Sequence, residues 1–418
     1  MRHPFVTWAT VILLGSAAAT TAHAQGYEKE PVFAAKDLVG PELLKGPHFT
    51  TDPNVPVVGF ISRFTLRSSF GTFGVHGQRM LPIRVNEVEA LATLDGFSRS
   101  GEFTAAAGRA IARPVASAAN MVTRPVETVK GIPGGVSRLF GRVRLAGRSI
   151  ARAATAPGQS GGERAVGTTR RVGEVTITAL GFEAERRRLA ERLGVDPYTT
   201  NLVLSERLTD VAWVAFSGRM TIQAVLFLLV PYSEVMTAVT AGNRAIWDTP
   251  AGDLVNMAQA KFRETGATPD QVRALMENSQ YSLSSLWSLA LAFDRLKDVP
   301  GRDQVVAFAA VPETQDEVKF VVGSVNMLAR YHEAVARIAR VSAPGPIKGE
   351  TASGAIVLPS PVDYISWTDA LGRIVPMQDF QAPEKILFLS GQASPLARKN
   401  LTARGWTINE SYTWAAEQ

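Results

Sequence analysis

Apolar and polar positions tend to alternate from Phe60 through Phe64 to Leu66, and Phe70, Phe73 and Val75 follow at close spacing. A period of two marks half-buried strands, so residues 57–85 read as strand material. His76-Gly77 is then a turn before a last strand over 80–85. Asn86 is placed to cap a helix that runs through Leu94 and stops at Gly96. Ahead of this, residues 25–56 are rich in Pro and Gly, show little periodicity, and are expected to form a loosely ordered lead-in.

From residue 180 the period becomes helical. Phe182, Leu189 and Leu193 line one face of a charged helix that Gly194 ends, Asp196-Pro197 turns the chain, and a second helix follows from about Thr200. Thr268-Pro269-Asp270-Gln271 has the form of a capping box with Pro at the first helical position. Ser282 opens a helix carrying Leu286, Leu289, Ala290 and Phe293, and a long periodic stretch covers 313–341. The carboxylate pairs Glu183/Glu185 and Asp316/Glu317 read as solvated helix faces. After Pro344-Gly345-Pro346 the texture changes to short strands at 356–358, 364–367 and 374–375. Strand 385–389, a helix from Ser394 to Ala403 and strand 406–409 then follow, with Ser394 as N-cap and Gly405 as stop. If those last two strands are parallel neighbours, their crossover is right-handed.

The fold class that follows is mainly α, with a small N-terminal β-containing part and a C-terminal α/β unit, multi-domain and α+β overall. The units are a leader over 1–24, the lead-in over 25–56, a β/α region over 57–103, a basic segment over 104–171, a helical domain over 172–343 and the α/β unit over 344–418.

Charge distinguishes the fourth of these units. Residues 104–171 hold twelve basic and two acidic residues, whereas the remainder of the chain after the leader is slightly acidic. Within the segment, 136–154 reads as an amphipathic helix. Val136, Leu139, Phe140, Val143 and Ile150 gather on one side, with Arg138, Arg142, Arg144, Arg148 and Arg152 spread over the other. Such a helix either packs its stripe on the protein's own core or lies on an anionic membrane or an acidic protein partner. Nucleic acid is not the expected partner, because Phe140 is the segment's single aromatic residue.

The first residues set the compartment. Arg2, the apolar stretch from Phe5 to Ala19 and Ala22-His23-Ala24 have the form of a secretory signal peptide cut before Gln25. The expected location is the periplasm or the exterior. The chain has no cysteine, so disulfides, thiolate metal sites and cysteine nucleophiles are excluded. His48, His76 and His332 are widely spaced, and no metal, cofactor or catalytic motif appears. Val211 to Val230 has membrane-span length, but a central Arg219 costs about 2.5–3.5 kcal/mol there. A buried helix, or two elements joined at Ser217-Gly218, is expected instead. Gly391 and Ser394, in the turn before a helix N-terminus, form a candidate small-anion site. The reading that results is an exported envelope protein that binds or scaffolds without catalysis. The alternatives are a periplasmic hydrolase assembled from distant residues and a helical membrane-perturbing protein. Mass spectrometry of the exported chain should find its N-terminus at or near Gln25; an intact Met1 in the cell-envelope fraction would contradict export by cleavage.

Overall fold

A computed structural model describes residues 26–98, 172–216, 244–343, 345–376 and 380–412, and the architecture is mixed α+β. The first layer is an antiparallel sheet of Val32–Ala34 (β1), Phe49–Thr51 (β2), Asn54–Val58 (β3), Ile61–Ser68 (β4) and Gly71–His76 (β5). The long strand β4 pairs with β2, β3 and β5. Alternation along β4 buries Ser62, Phe64 and Leu66 and turns Arg63, Thr65 and Arg67 to the opposite face. Three helices cover the buried face: Met80–Ser98 (α1), Val172–Arg192 (α2) and Leu202–Phe216 (α3). Phe64, Leu66, Val75, Leu91, Leu189 and Leu208 belong to their shared core.

Two expectations change here. The lead-in is not loose, since β1, β2 and most of β3 fall within it. Residues 80–85 are helix rather than strand, and the helix runs past Gly96 to Ser98. Leu81, Val85, Val88, Leu91 and Leu94 are buried at helical spacing, and Pro82 sits in the first turn, where its missing N–H costs nothing.

The second body begins with short helices: Ala245–Asp248 (α4), Ala251–Arg263 (α5), Pro269–Met276 (α6), Leu283–Arg295 (α7) and Arg302–Ala309 (α8), followed by the longer Gln315–Ala334 (α9). The capping box at Thr268 and Gln271 is complete, and Ser282 caps α7. The chain then forms Ile338–Ser342 (β6), Lys348–Thr351 (β7), Ile356–Ser360 (β8), Tyr364–Ile365 (β9), the helix Asp369–Ile374 (α10), Lys385–Leu389 (β10), Gln392–Ala393 (β11), the helix Pro395–Thr402 (α11) and Trp406–Asn409 (β12). The sheet order is β12-β10-β8-β7-β6, with β8, β10 and β12 parallel and β6 and β7 antiparallel at one edge. The helix expected to reach 341 therefore stops at Ala334. Ile338 and Val341 go into the sheet instead, and the Ile338 N–H donates to His332 Nδ1 at 3.1 Å. Residues 374–375 close α10 rather than forming a strand; Thr368 caps that helix. Helices and sheet share a second core around Phe262, Phe293, Val321, Leu328, Leu387 and Trp406.

One side chain of the first layer lies in the second core. Gly59 and Phe60, the two central residues of the β3–β4 hairpin, have φ of 62° and 69°. Positive φ at both positions is the type I′ hairpin turn, whose twist matches that of the flanking strands. Phenylalanine tolerates that backbone poorly. Its ring is buried in the second core, and Glu30 accepts both free N–H groups of the turn, from Gly59 at 3.0 Å and Phe60 at 2.7 Å. The Phe60 carbonyl in turn accepts from Asp363 N and Tyr364 N.

The N-terminal segment forms a second clasp. The Glu28 carboxylate accepts from Trp367 N at 2.5 Å and from the Ser394 hydroxyl, while the Glu28 N–H donates to the Trp367 carbonyl. Ser394 also accepts from Ala397 N at 2.9 Å as the N-cap of α11. One hydroxyl thus ties the start of the described chain to a helix near its end. Ser394→Ala should cost about 1–3 kcal/mol, more than a bare cap. A double-mutant cycle with Glu28→Ala, read by urea unfolding, should give a coupling of about 1 kcal/mol. Additive effects would show that strap and cap act separately.

Candidate functional site

The arginines of the amphipathic segment, Arg138, Arg142, Arg144, Arg148 and Arg152, lie outside the described residues. So does Arg219, with the part of the 211–230 stretch from 217 onward. What the structure defines is the platform from which both stretches leave. α2 arrives at the turn over 193–201, and α3 departs from it. Gly194, at φ of 65°, ends α2. α1 starts beside the same turn, where Asn86 Nδ2 donates to the Gly194 carbonyl at 2.9 Å. The end of α1, the start of α2 and the end of α3 therefore all point away from that turn. The chain enters 99–171 from the first, returns at the second and enters 217–243 from the third.

Near this far end, Phe182 of α2 meets Trp213 and Phe216 of α3 edge-on, with ring centroids 5.7 and 6.4 Å away. Gly181 allows the approach, because a Cβ there would fall 2.7 Å from the Phe216 ring. Trp213 remains 46% exposed, in contrast to the buried Leu204, Leu208 and Val211 on the same helix. Trp at such a place presents an apolar body with a polar edge, the character favoured at membrane–water interfaces.

The opposite end of the trio is fixed by buried polar groups. Glu87 of α1 accepts from Arg84 Nη1 at 2.5 Å, from Asn201 Nδ2 at 3.1 Å and from the Thr199 hydroxyl. Asp196 accepts from Tyr198 N at 2.7 Å and from the Ser284 hydroxyl of α7 at 2.6 Å. Burial pushes its carboxyl above the ordinary range, against those two hydrogen bonds. Arg187 Nε donates to the Trp247 carbonyl, and Trp247 Nε1 donates to Val195 O. This end cannot splay without exposing unpaired charge.

A second cluster lies where the sheet meets α9. Arg63 and His76 are cross-strand partners on β4 and β5. Asp316, in the first turn of α9, sits between them. Arg63 Nη1 donates to Oδ2 at 2.5 Å, and His76 Nδ1 stands 2.9 and 3.0 Å from the two carboxylate oxygens. Lys319, one turn on, is 3.8 Å away. Burial alone would raise the Asp316 carboxyl; the hydrogen bond and charge of His76, with those of Arg63, outweigh it and hold the group well below the usual carboxylate range. Burial also lowers Lys319, helped by the nearby charges of Arg84 and Arg63, against Asp316 and Asp363.

Asp316 and Glu317 are thus not a solvated face. Asp316 is 13% exposed and Glu317 is fully buried, folded back so that Glu313 N donates to its carboxylate at 2.7 Å. The sequence carries no local sign of this cluster. Arg63 and His76 could be paired from the hairpin register alone, but nothing near residue 316 points to them.

The Gly391–Ser394 turn is described, and its surroundings are the chain's own. Gly391 runs against the Asp363 backbone, where a Cβ would fall 1.8 Å from the carbonyl oxygen. The Ser394 hydroxyl is committed to Glu28 and Ala397 N. An anion does stand at this helix N-terminus, and it is the Glu28 carboxylate. An apolar cavity of about 50 Å³, touching Phe60, Phe320, Leu387 and Trp406, separates the sheet from α9 and α10. It is smaller than the roughly 150 Å³ that admits benzene.

No family model, no curated protein and no solved structure matches this chain. The Asp316 cluster has a defined acid signature. A carboxyl lowered by folding stabilises fully above its unfolded value, about 4, and loses that contribution as pH falls through the folded value. Asp316→Asn should cost about 2 kcal/mol at neutral pH. The gap from wild type in urea melts should persist to about pH 4 and close only in stronger acid. A gap that closes near neutrality would assign the effect to another group.

Proposed function

We propose that this is an exported, non-enzymatic envelope protein that attaches to an anionic membrane surface through its basic segment. The observation that carries the reading is the shared direction of three helix ends. Ser98, Val172 and Phe216, where the described chain breaks off before 99–171 and 217–243, lie toward one end of the first body, the end that carries the half-exposed Trp213. The first stretch contains the arginine-rich amphipathic pattern and the second contains the apolar run 224–230. Charge attracts such a segment to anionic lipid, at about 1 kcal/mol per Lys or Arg near the surface, and an apolar stripe anchors it. Among the described residues no helix is long and apolar enough to cross a membrane; Arg219 near the middle of 211–230 weighs against a span there, so attachment in this reading is peripheral. The two folded bodies then act as the cargo or scaffold held at the surface. An acidic protein surface would satisfy the charge but not the apolar stripe and the aromatic end together.

Co-sedimentation of the chain from Gln25 with vesicles containing phosphatidylglycerol tests this. Binding should be absent on pure phosphatidylcholine and should fall as salt rises. Replacing Arg138, Arg142, Arg148 and Arg152 by Gln should weaken it by about tenfold or more without lowering thermal stability. Comparison with Trp213→Phe should show a blue shift of Trp213 emission on binding. Wild-type protein that ignores anionic vesicles at low salt would eliminate the membrane surface as partner. Release of an entrapped dye would instead favour a membrane-perturbing role.

A further inference from the structure

The cluster at the sheet–α9 junction is left unused by surface attachment, and it lies away from the aromatic end. α1 begins after a three-residue link from β5, close to His76, and its nineteen residues carry the chain about 28 Å toward that end. We propose that His76 and Lys319 form a binding site for a phosphate group, with Asp316 as the residue that positions His76.

Three observations support this. Asp316 is held ionised and can only accept, so the His76 nitrogen facing it, Nδ1, carries a proton. That fixes the ring and leaves Nε2 on the far side, where it has no hydrogen-bond partner among the described residues; the His76 side chain is 43% exposed. Lys319 is recessed by its neighbours yet 37% exposed, and its ammonium makes no hydrogen bond among the described residues; its nearest carboxylate oxygen is at 3.8 Å. The third observation is the charge balance. Around Lys319, Arg63 and Arg84 stand against Asp316 and Asp363. The excess is one positive charge with His76 neutral and two with it protonated. Arg84 Nε is buried without a hydrogen-bond partner among the described residues.

A phosphate dianion matches that excess. It accepts from Lys319 as a point charge and from Nε2–H of a protonated His76, and its oxygens are strong acceptors for both. A carboxylate would neutralise only half the charge, and the chain already supplies one in Asp316. Dianion binding also favours the protonated imidazole, so ligand and proton are taken up together. The groups facing His76 and Lys319 in this balance are Asp316, Arg63, Arg84 and Asp363.

The test is NMR of the imidazole resonances during titration with inorganic phosphate, against sodium chloride at matched ionic strength. The chain from Gln25 has three histidines, so His76→Asn identifies the signal. Millimolar phosphate should shift the His76 resonance saturably and raise its titration midpoint, with His48 and His332 unmoved. Lys319→Gln should weaken the response about tenfold, with circular dichroism showing an intact fold. Phosphatidic acid vesicles should leave the resonance in place, because the site stands away from the membrane-facing end. A shift with vesicles but not with free phosphate would overturn the soluble ligand. No shift beyond that of chloride, or equal shifts in wild type and Lys319→Gln, would overturn the site.

Discussion

The two cores are joined through a turn that is costly on its own. Gly59 and Phe60 both take positive φ, and phenylalanine is a poor residue for that conformation. The turn persists because each of its exposed consequences is met from elsewhere in the chain. Glu30 takes the two turn N–H groups, the second core takes the ring, and the loop at Asp363 and Tyr364 donates to the carbonyl. Asp363 then reaches back, its carboxylate accepting from Ser62 N at 2.8 Å and from Gln78 N at 3.2 Å. Burial pushes that carboxyl above its usual range, and the backbone N–H groups that it satisfies act in the opposite direction.

The same device recurs along the junction. Carboxylates from one segment accept backbone, hydroxyl or amide donors of another: Glu28 from Trp367 and Ser394, Asp196 from Ser284, and Glu87 from Thr199 and Asn201. A buried carboxylate without partners would be strongly unfavourable, so these bonds define which segments must meet. With no cysteine in the chain, apolar packing and this hydrogen-bonded carboxylate set hold the bodies together.

This arrangement separates two kinds of chemistry. The polar end of the helical trio is rigid and committed to internal partners. The other end is aromatic, carries a half-exposed Trp213 and leads into the basic and apolar stretches. At the junction with α9, Asp316 bridges Arg63 and His76 and orients the imidazole. The proposed surface attachment and the proposed anion site thus draw on different parts of the same scaffold.

Local pattern determined a good part of the chain. Thr268 and Gln271 form their capping box, Ser282 and Ser394 cap their helices, and the parallel strands over 385–389 and 406–409 lie where their apolar runs placed them. Such features depend on residues within one or two turns of each other. Tertiary structure decided the rest. Met80–Val85 has apolar residues that suit either period, and helix was selected by what α1 packs against. Ile338–Val341 leaves the helical pattern because a sheet edge was there to pair with β7. The sequence grouped 172–343 as one helical stretch, yet α2 and α3 bury their apolar faces with the N-terminal sheet. His76 and Asp316 are 240 residues apart, and Ser62 and Asp363 are 301 apart. An amphipathic pattern shows that a face will be buried, but not against which partner. Partner choice is fixed only when the chain closes and every buried donor must find its acceptor.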